Sequence, residues 1–437
     1  MPKRPAGSAA RPAPGRRENA RRRAASTPDT PAALPVDAGL VSPWVRLRSA
    51  TAHPFVYQRM IAEADPAAQA GDVVNVYDKT GRRFGSAIYN GRSQIALRML
   101  AAGDVAIDDA FWRGRLEQAV ALRRSLRLDD LSDAYRLVHA EGDGLSGLVV
   151  ERYADCLVFE LFSIGMFLRR AMLPDALAER LGPPATLDRP RAAAPRWRVV
   201  FRADQRVQAL EGFSLPPPRD DAPQRLVVRE HGVRYRVDAA GGQKTGFFCD
   251  QRENRRRFAE LCADADVLDA FCYSGGFGLC ARVLGRARSV TSVDLDEDAL
   301  ALAIENANLN QQRIQHVHAD VFGYLRQMIA NGRQFDAVVL DPPKLALRRE
   351  DVEPALRKYG DLNALGVQVV RPGGWLLTCS CSGLVSPTSF VETVHRAARR
   401  AGRTLQMIGL TGAGPDHPVL LDCPESAYLK AIWLRVW

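Results

Sequence analysis

The chain has 437 residues, a formal net charge of +10, and 46% apolar residues. That length exceeds a single core and predicts two or three domains, while the lack of any run of about 18 apolar residues excludes a membrane-spanning helix. Its eight cysteines are scattered, with no Cys-x-x-Cys pair and no secretory leader, so neither a disulfide framework nor a metal site is expected and a reducing cytoplasm fits.

Residues 1–38 are Ala, Pro and Arg with few bulky apolar groups, and read as a disordered tail. Eight basic residues there face only Glu18, Asp29 and Asp37, so the tail is either a solvated extension or a source of phosphate contacts. Residues 39–103 change to short β-like runs at Asp72–Tyr77, Gly85–Tyr89 and Ile95–Met99, separated by Gly81 and Gly91. Arginines outnumber acids in this small β domain. Trp44, Phe55, Tyr57 and Tyr89 are either its core or a stacking surface for RNA.

Residues 104–222 open with a helical pattern over Phe111–Leu126, then a hairpin-like pair, Leu145–Tyr153 and Cys156–Phe162. One helix over about Met166–Leu181 and a strand near Trp197–Phe201 complete an α+β unit with no catalytic constellation. A proline-rich stretch from Leu215 to Pro223 reads as a stiff linker. Residues 223–437 alternate strand and helix, which predicts a mostly parallel, doubly wound sheet with a closing antiparallel strand at Tyr428–Val436.

Within that sheet the loop Asp269–Gly278, Asp-Ala-Phe-Cys-Tyr-Ser-Gly-Gly-Phe-Gly, lies where a strand turns into a helix. Cofactors bind at such turns in open α/β sheets. Gly275, Gly276 and Gly278 admit a ligand close to the backbone, Asp269 reaches across the loop, and Phe271, Tyr273 and Ser274 are its other side chains. Asp294, at the end of the next apolar run, is placed to accept both hydroxyls of a ribose. The glycine spacing does not match the dinucleotide fingerprint, and an acid-led loop suits a ligand without phosphate, such as S-adenosylmethionine. Asp320 and the turn Asp341-Pro-Pro-Lys344 follow two further strand-like runs. Each acid alone reads as a cap or turn residue; together they line one sheet edge.

The segment Thr378-Cys-Ser-Cys-Ser-Gly383 falls on that same edge. Pyrimidine carbon 5 is too weak a nucleophile to attack a sulfonium methyl group unaided. A thiolate added at carbon 6 makes the ring an enamine, and cysteine is both a strong nucleophile and a competent leaving group. Asp341 is placed to offer a hydrogen bond or proton to the base. Lys344 is placed to stabilise charge on the ring or to grip a phosphate.

The motifs Gln243–Asn254, Asp269–Gly278, Asp341–Lys344, Ser380–Gly383 and Asp416-His-Pro-Val419, with Glu141–Leu148, together resemble the bacterial class I ribosomal RNA large subunit (23S) cytosine-C5 methyltransferases. That resemblance implies an N-terminal PUA RNA-binding domain, a central α+β domain and a seven-stranded Rossmann-like methyltransferase domain. It implies Cys381 as nucleophile, with Cys379 a bystander. It places Gln243, Phe247, Asp250 and Arg252 in the segment leading into the S-adenosylmethionine pocket, and gives Asp294 and Asp320 to ribose and adenine. The implied partner is 23S ribosomal RNA, naked or in a large-subunit particle. A guanine- or adenine-directed enzyme without a covalent step, and a non-catalytic RNA-binding assembly factor, remain open as alternatives.

Overall fold

The structure, a computed structural model, describes residues 39–185, 187, 196–217, 225–239 and 247–437. The expected tail, most of the proline-rich linker and Gln243 lie outside the described residues.

The first sheet contains β1 (Trp44–Leu47), β2 (Phe55–Tyr57), β3 (Ile61–Ala64), β4 (Val73–Tyr77), β5 (Arg83–Tyr89) and β6 (Ile95–Ala102), in the order β2-β6-β5-β4-β1-β3. Alternation along these strands sends Val45, Leu47, Val56, Val74, Val76, Ala87 and Leu97 into one core. Of the aromatic residues, Tyr57 is exposed, while Trp44, Phe55 and Tyr89 are half-buried. The rings therefore divide between core and surface. The strands β1–β3 are too short to carry a readable alternation.

The central unit comprises α1 (Asp109–Ser125), α2 (Leu128–Leu131), β7 (Ala134–His139), β8 (Leu148–Tyr153), β9 (Cys156–Leu161), α3 (Ile164–Arg169), α4 (Leu173–Leu181), β10 (Arg198–Arg202) and α5 (Gln205–Glu211). Asp108 caps α1 by accepting from the Phe111 N–H at 3.0 Å. The single helix expected over Met166–Leu181 is two, α3 and α4. Pro174 sits in the first turn of α4, where its missing N–H costs nothing but a continuous helix cannot run through it. A hairpin, β11 (Arg225–Glu230) and β12 (Val233–Asp238), follows.

The C-terminal unit runs through α6 (Arg252–Ala259), β13 (Asp266–Ala270), α7 (Gly276–Val283), β14 (Ser289–Asp294), α8 (Glu297–Leu309), β15 (Gln315–His318) and α9 (Val321–Ala330). It continues with β16 (Phe335–Leu340), α10 (Val352–Val369), β17 (Val370–Ser380), α11 (Pro387–Arg400), β18 (Leu405–Thr411) and β19 (Lys430–Val436). The seven strands lie in the order β15-β14-β13-β16-β17-β19-β18, and β19 runs against both its neighbours. Period two divides β16 between two cores. Ala337 and Val339 pack with Phe258 and Phe277 on one face; Val338 and Leu340 pack with Tyr359 and Phe390 on the other. Each fully buried Val or Leu contributes about 1.5–3 kcal/mol, so a sheet sandwiched this way is fixed in register. The C-terminal ends of β13, β14, β16 and β17 therefore form one rigid rim.

The central and C-terminal units share a buried polar joint. Arg252 and Asp416 form a two-point pair at 2.8 and 3.1 Å with neither side chain exposed. Arg123 of α1 donates to the Asp416 carbonyl at 2.7 Å, and the Arg136 N–H of β7 donates to its carboxylate at 2.9 Å.

Candidate active site

The turn after β13 is built on left-handed backbone: Phe271, Tyr273 and Gly275 have φ of 62°, 49° and 80°. Two of the three are not glycine, and conformations of this kind persist only where surrounding bonds enforce them. The Cys272 N–H donates to the Val293 carbonyl at 3.1 Å, and the Tyr273 N–H donates to Asp294 Oδ2 at 2.8 Å. Ser274 is buried and its carbonyl accepts from Asn306 at 3.0 Å. Gly278 has no room for a side chain. A Cβ there would lie 2.8 Å from Ser292 Oγ and 3.1 Å from Asp269 Oδ2.

Asp269 is buried under this turn and accepts from the Gly278 N–H at 2.8 Å, while its Oδ1 has no hydrogen-bond partner among the described residues. Burial pushes its carboxyl up to about 7; the Gly278 N–H opposes the rise, and the charges of Asp341 and Asp294 add to it. Three carboxylates at one edge repel a pyrophosphate and attract a cation. The cradle thus fits a nucleoside with a positively charged tail, and a sulfonium with an amino group is such a ligand.

Asp341 follows β16, its N–H bound to the Ala270 carbonyl at 3.3 Å and its Oδ2 accepting from Gln251 at 3.0 Å. Beyond the end of β17 stands Cys381, half-buried, whereas the other seven cysteines are buried. Burial pushes the Cys379 thiol well up, which keeps it neutral. The loop holding Cys381 is tied on both sides. The Ser382 hydroxyl accepts from the N–H groups of Leu345 and Ala346, each at 3.1 Å, and the buried Tyr359 hydroxyl bridges Ser380 and Ser382 at 3.0 and 3.1 Å. Lys430 donates to the Ser382 carbonyl at 2.6 Å.

The structure brings Asp269, Phe271, Tyr273, Ser274, Gly275, Gly276, Asp294, Asp341 and Cys381 to one rim. Asp320 caps α9, its Oδ2 accepting from the Gly323 N–H at 2.8 Å, and Lys344 is exposed just beyond Asp341. Two residues take other places. Arg252 is spent on Asp416, and Phe247 is buried against Tyr235, with ring centroids 5.0 Å apart. Their roles are in packing and in joining the units, because neither side chain has surface left for a ligand. Asp250 accepts from Tyr428 at 2.6 Å. Sequence reasoning missed Gln251, Tyr359 and Lys430. A lone lysine inside the apolar run Leu429–Val436 was the available signal for the last.

Residues 216–435 match the S-adenosylmethionine-dependent methyltransferase family, and residues 48–102 match the PUA-like domain. The chain is 36% identical over 391 residues to ribosomal RNA large subunit methyltransferase I of Klebsiella pneumoniae, covering 88% of this chain and 94% of that protein. It is 37% identical to the protein of the same name from Cronobacter sakazakii, covering 88% and 95%. Among solved structures, a provisionally assigned S-adenosylmethionine-dependent methyltransferase from Streptococcus mutans superposes with a TM-score of 0.74 at 19% identity, covering 90% of this chain and 100% of that one. At that identity the likeness shows the fold.

Proposed function

The chain belongs to the S-adenosylmethionine-dependent methyltransferases, with a PUA-like domain ahead of the transferase fold, and on that footing we propose that it methylates carbon 5 of a cytosine in large-subunit ribosomal RNA through a covalent adduct at Cys381. The RNA class follows the relatives' name, and the place of action is then the cytoplasm. One observation carries the chemistry: Cys381 is the half-buried thiol, fixed at the same rim as Asp294 and Asp341.

In this reading the Cys381 thiolate adds to carbon 6, forming an S–C bond and leaving an enamine that is nucleophilic at carbon 5. In this step Asp341 carries a proton and gives it, or a hydrogen bond, to the ring as negative charge builds there, and Lys344 faces the phosphate backbone from outside. When bound, S-adenosylmethionine supplies the methyl group that carbon 5 takes up. Loss of the carbon-5 proton to a base and expulsion of the thiolate restore the aromatic ring and the free enzyme. The target nucleotide must leave its stack to reach a half-buried sulfur, and the PUA-like domain would hold the surrounding RNA.

The test is incubation with 5-fluorocytosine-containing ribosomal RNA and S-adenosylmethionine. Fluorine at carbon 5 blocks the final elimination, so a covalent protein–RNA adduct is expected, and Cys381→Ala should lose it. Methyl transfer to ordinary RNA by Cys381→Ala would instead assign a guanine- or adenine-directed reaction without a covalent step. RNA binding with no transfer to any ribosomal RNA would select an assembly factor.

A further inference from the structure

Lys430 opens β19, and its Cα is paired with that of Ser380, the last residue of β17. Its side chain is buried, with the residue 3% exposed. A lysine so placed ordinarily has a carboxylate partner. Among the described residues none lies within ion-pair distance of it. Its Nζ donates instead to two backbone carbonyls, Ser382 at 2.6 Å and Tyr428 at 2.9 Å. The first belongs to the residue directly after Cys381.

Packing does not call for a charge here. The next four residues of the strand, Ala431, Ile432, Trp433 and Leu434, are all buried and apolar, and a methionine would fill the volume of Lys430 without the cost of desolvating an ammonium. Burial lowers Lys430 to about 8, Cys381 acts to raise it, and Lys344 lowers it further. A cation near the sulfur remains largely protonated at neutral pH.

We propose that Lys430 is the positioning residue for the nucleophile: its buried ammonium fixes the Cys381 loop through the Ser382 carbonyl and stabilises the sulfur as thiolate. Among the described residues, the other groups near that sulfur oppose a thiolate or are less effective. Asp341 repels it, the Cys379 thiol and the Tyr359 phenol are held neutral by burial, and Lys344 is exposed and screened. Lys430 supplies the desolvated positive charge.

The inference rests on Cys381 as the nucleophile, so its test avoids both RNA and cofactor. The pH dependence of Cys381 alkylation by iodoacetamide, followed by mass spectrometry, reads the thiolate directly. The wild-type midpoint should fall below the ordinary thiol value of about 8.5. K430Q keeps an N–H donor for the carbonyls but loses the charge; it should move the midpoint up by about one unit or more, slowing alkylation about tenfold at pH 7. K430R should keep the low midpoint. Identical profiles for folded K430Q and K430R, or a wild-type midpoint at or above that of a free thiol, would overturn the proposal, and the wild-type result stands even if K430Q fails to fold. A Lys430-dependent midpoint in a protein that forms no fluorocytosine adduct would retain the electrostatic role of Lys430 while removing the covalent reading.

Discussion

Gln251 donates to Asp341 at 3.0 Å from the head of a one-way chain of hydrogen bonds. Trp433 donates to the Thr411 hydroxyl at 2.8 Å, Thr411 to Asn254 Oδ1 at 2.8 Å, and Asn254 Nδ2 to the Gln251 side-chain oxygen Oε1 at 2.7 Å. Each donor has its acceptor fixed, so the Gln251 amide can present only its NH2 end to the carboxylate. Replacing Gln251 with Leu removes this hydrogen bond from Asp341 and should lower turnover about tenfold or more, with little change in melting temperature. Single-turnover methylation with saturating cofactor checks this.

Asp269 should give cofactor binding a pH dependence. Its carboxyl is raised to about 7 in the fold, against about 4 in the unfolded chain. Between those values the folded state holds the extra proton. The associated stabilisation is therefore complete below about pH 4 and is lost as pH rises through 7. In the absence of cofactor, melting temperature should fall between pH 5 and pH 8 more steeply than in Asp269→Asn. Affinity for S-adenosylmethionine, which is cationic, should rise over the same interval in the wild type and stay flat in the variant, as calorimetry would show.

Gly278→Ala should damage the same cradle by sterics. The added methyl group meets Ser292 Oγ at 2.8 Å and Val290 Cγ1 at 3.0 Å, both on a buried strand that cannot retreat. A destabilisation of about 1–3 kcal/mol is expected, together with weakened cofactor binding. Urea denaturation with and without S-adenosylmethionine separates the two effects.

Asp294→Ala and Cys381→Ala should fail in different ways. The first removes the acceptor of the Tyr273 N–H and the carboxylate assigned to the ribose, so cofactor affinity should drop by about tenfold or more. The second should abolish turnover while leaving cofactor affinity nearly unchanged. Cofactor titration followed by tryptophan fluorescence distinguishes them.

Arg252→Met would leave Asp416 buried without its guanidinium. Burial works against that carboxylate, and His417 and Arg252 hold it well below the usual range. Removing one partner of such a pair costs about 3–5 kcal/mol, and the loss should loosen the joint between the central and C-terminal units. Denaturation midpoints report the first effect, and protease susceptibility near Asp416 the second.

How much of this was readable beforehand follows the distance along the chain over which each feature is decided. The turn at Asp269–Gly278, Asp294 and the thiol at Cys381 are local: a few glycines, acids and a cysteine at strand ends point to one sheet edge once strand and helix alternate. The relationships that tune the site are not local. Lys430 and Ser382 are 48 residues apart, Gln251 and Asp341 are 90, and Arg252 and Asp416 are 164. Gln251 and Arg252 stand side by side in one motif, yet one turns to the active site and the other to the domain joint. Neighbouring residues on a helical turn point about 100° apart, and only the packed fold shows what each direction meets.

The reversed direction of β19 also governs when the site becomes complete. During synthesis the strands β13 to β17 emerge first, and with them the glycine turn, Asp294, Asp341 and Cys381. The strand carrying Lys430 is the last of the seven to leave the ribosome, and it must insert between β17 and β18, both already made. A partly synthesised chain can thus assemble the cofactor cradle while its sulfur still lacks the buried cation. On the proposed role of Lys430, the sulfur gains its cation only when this closing strand is in place.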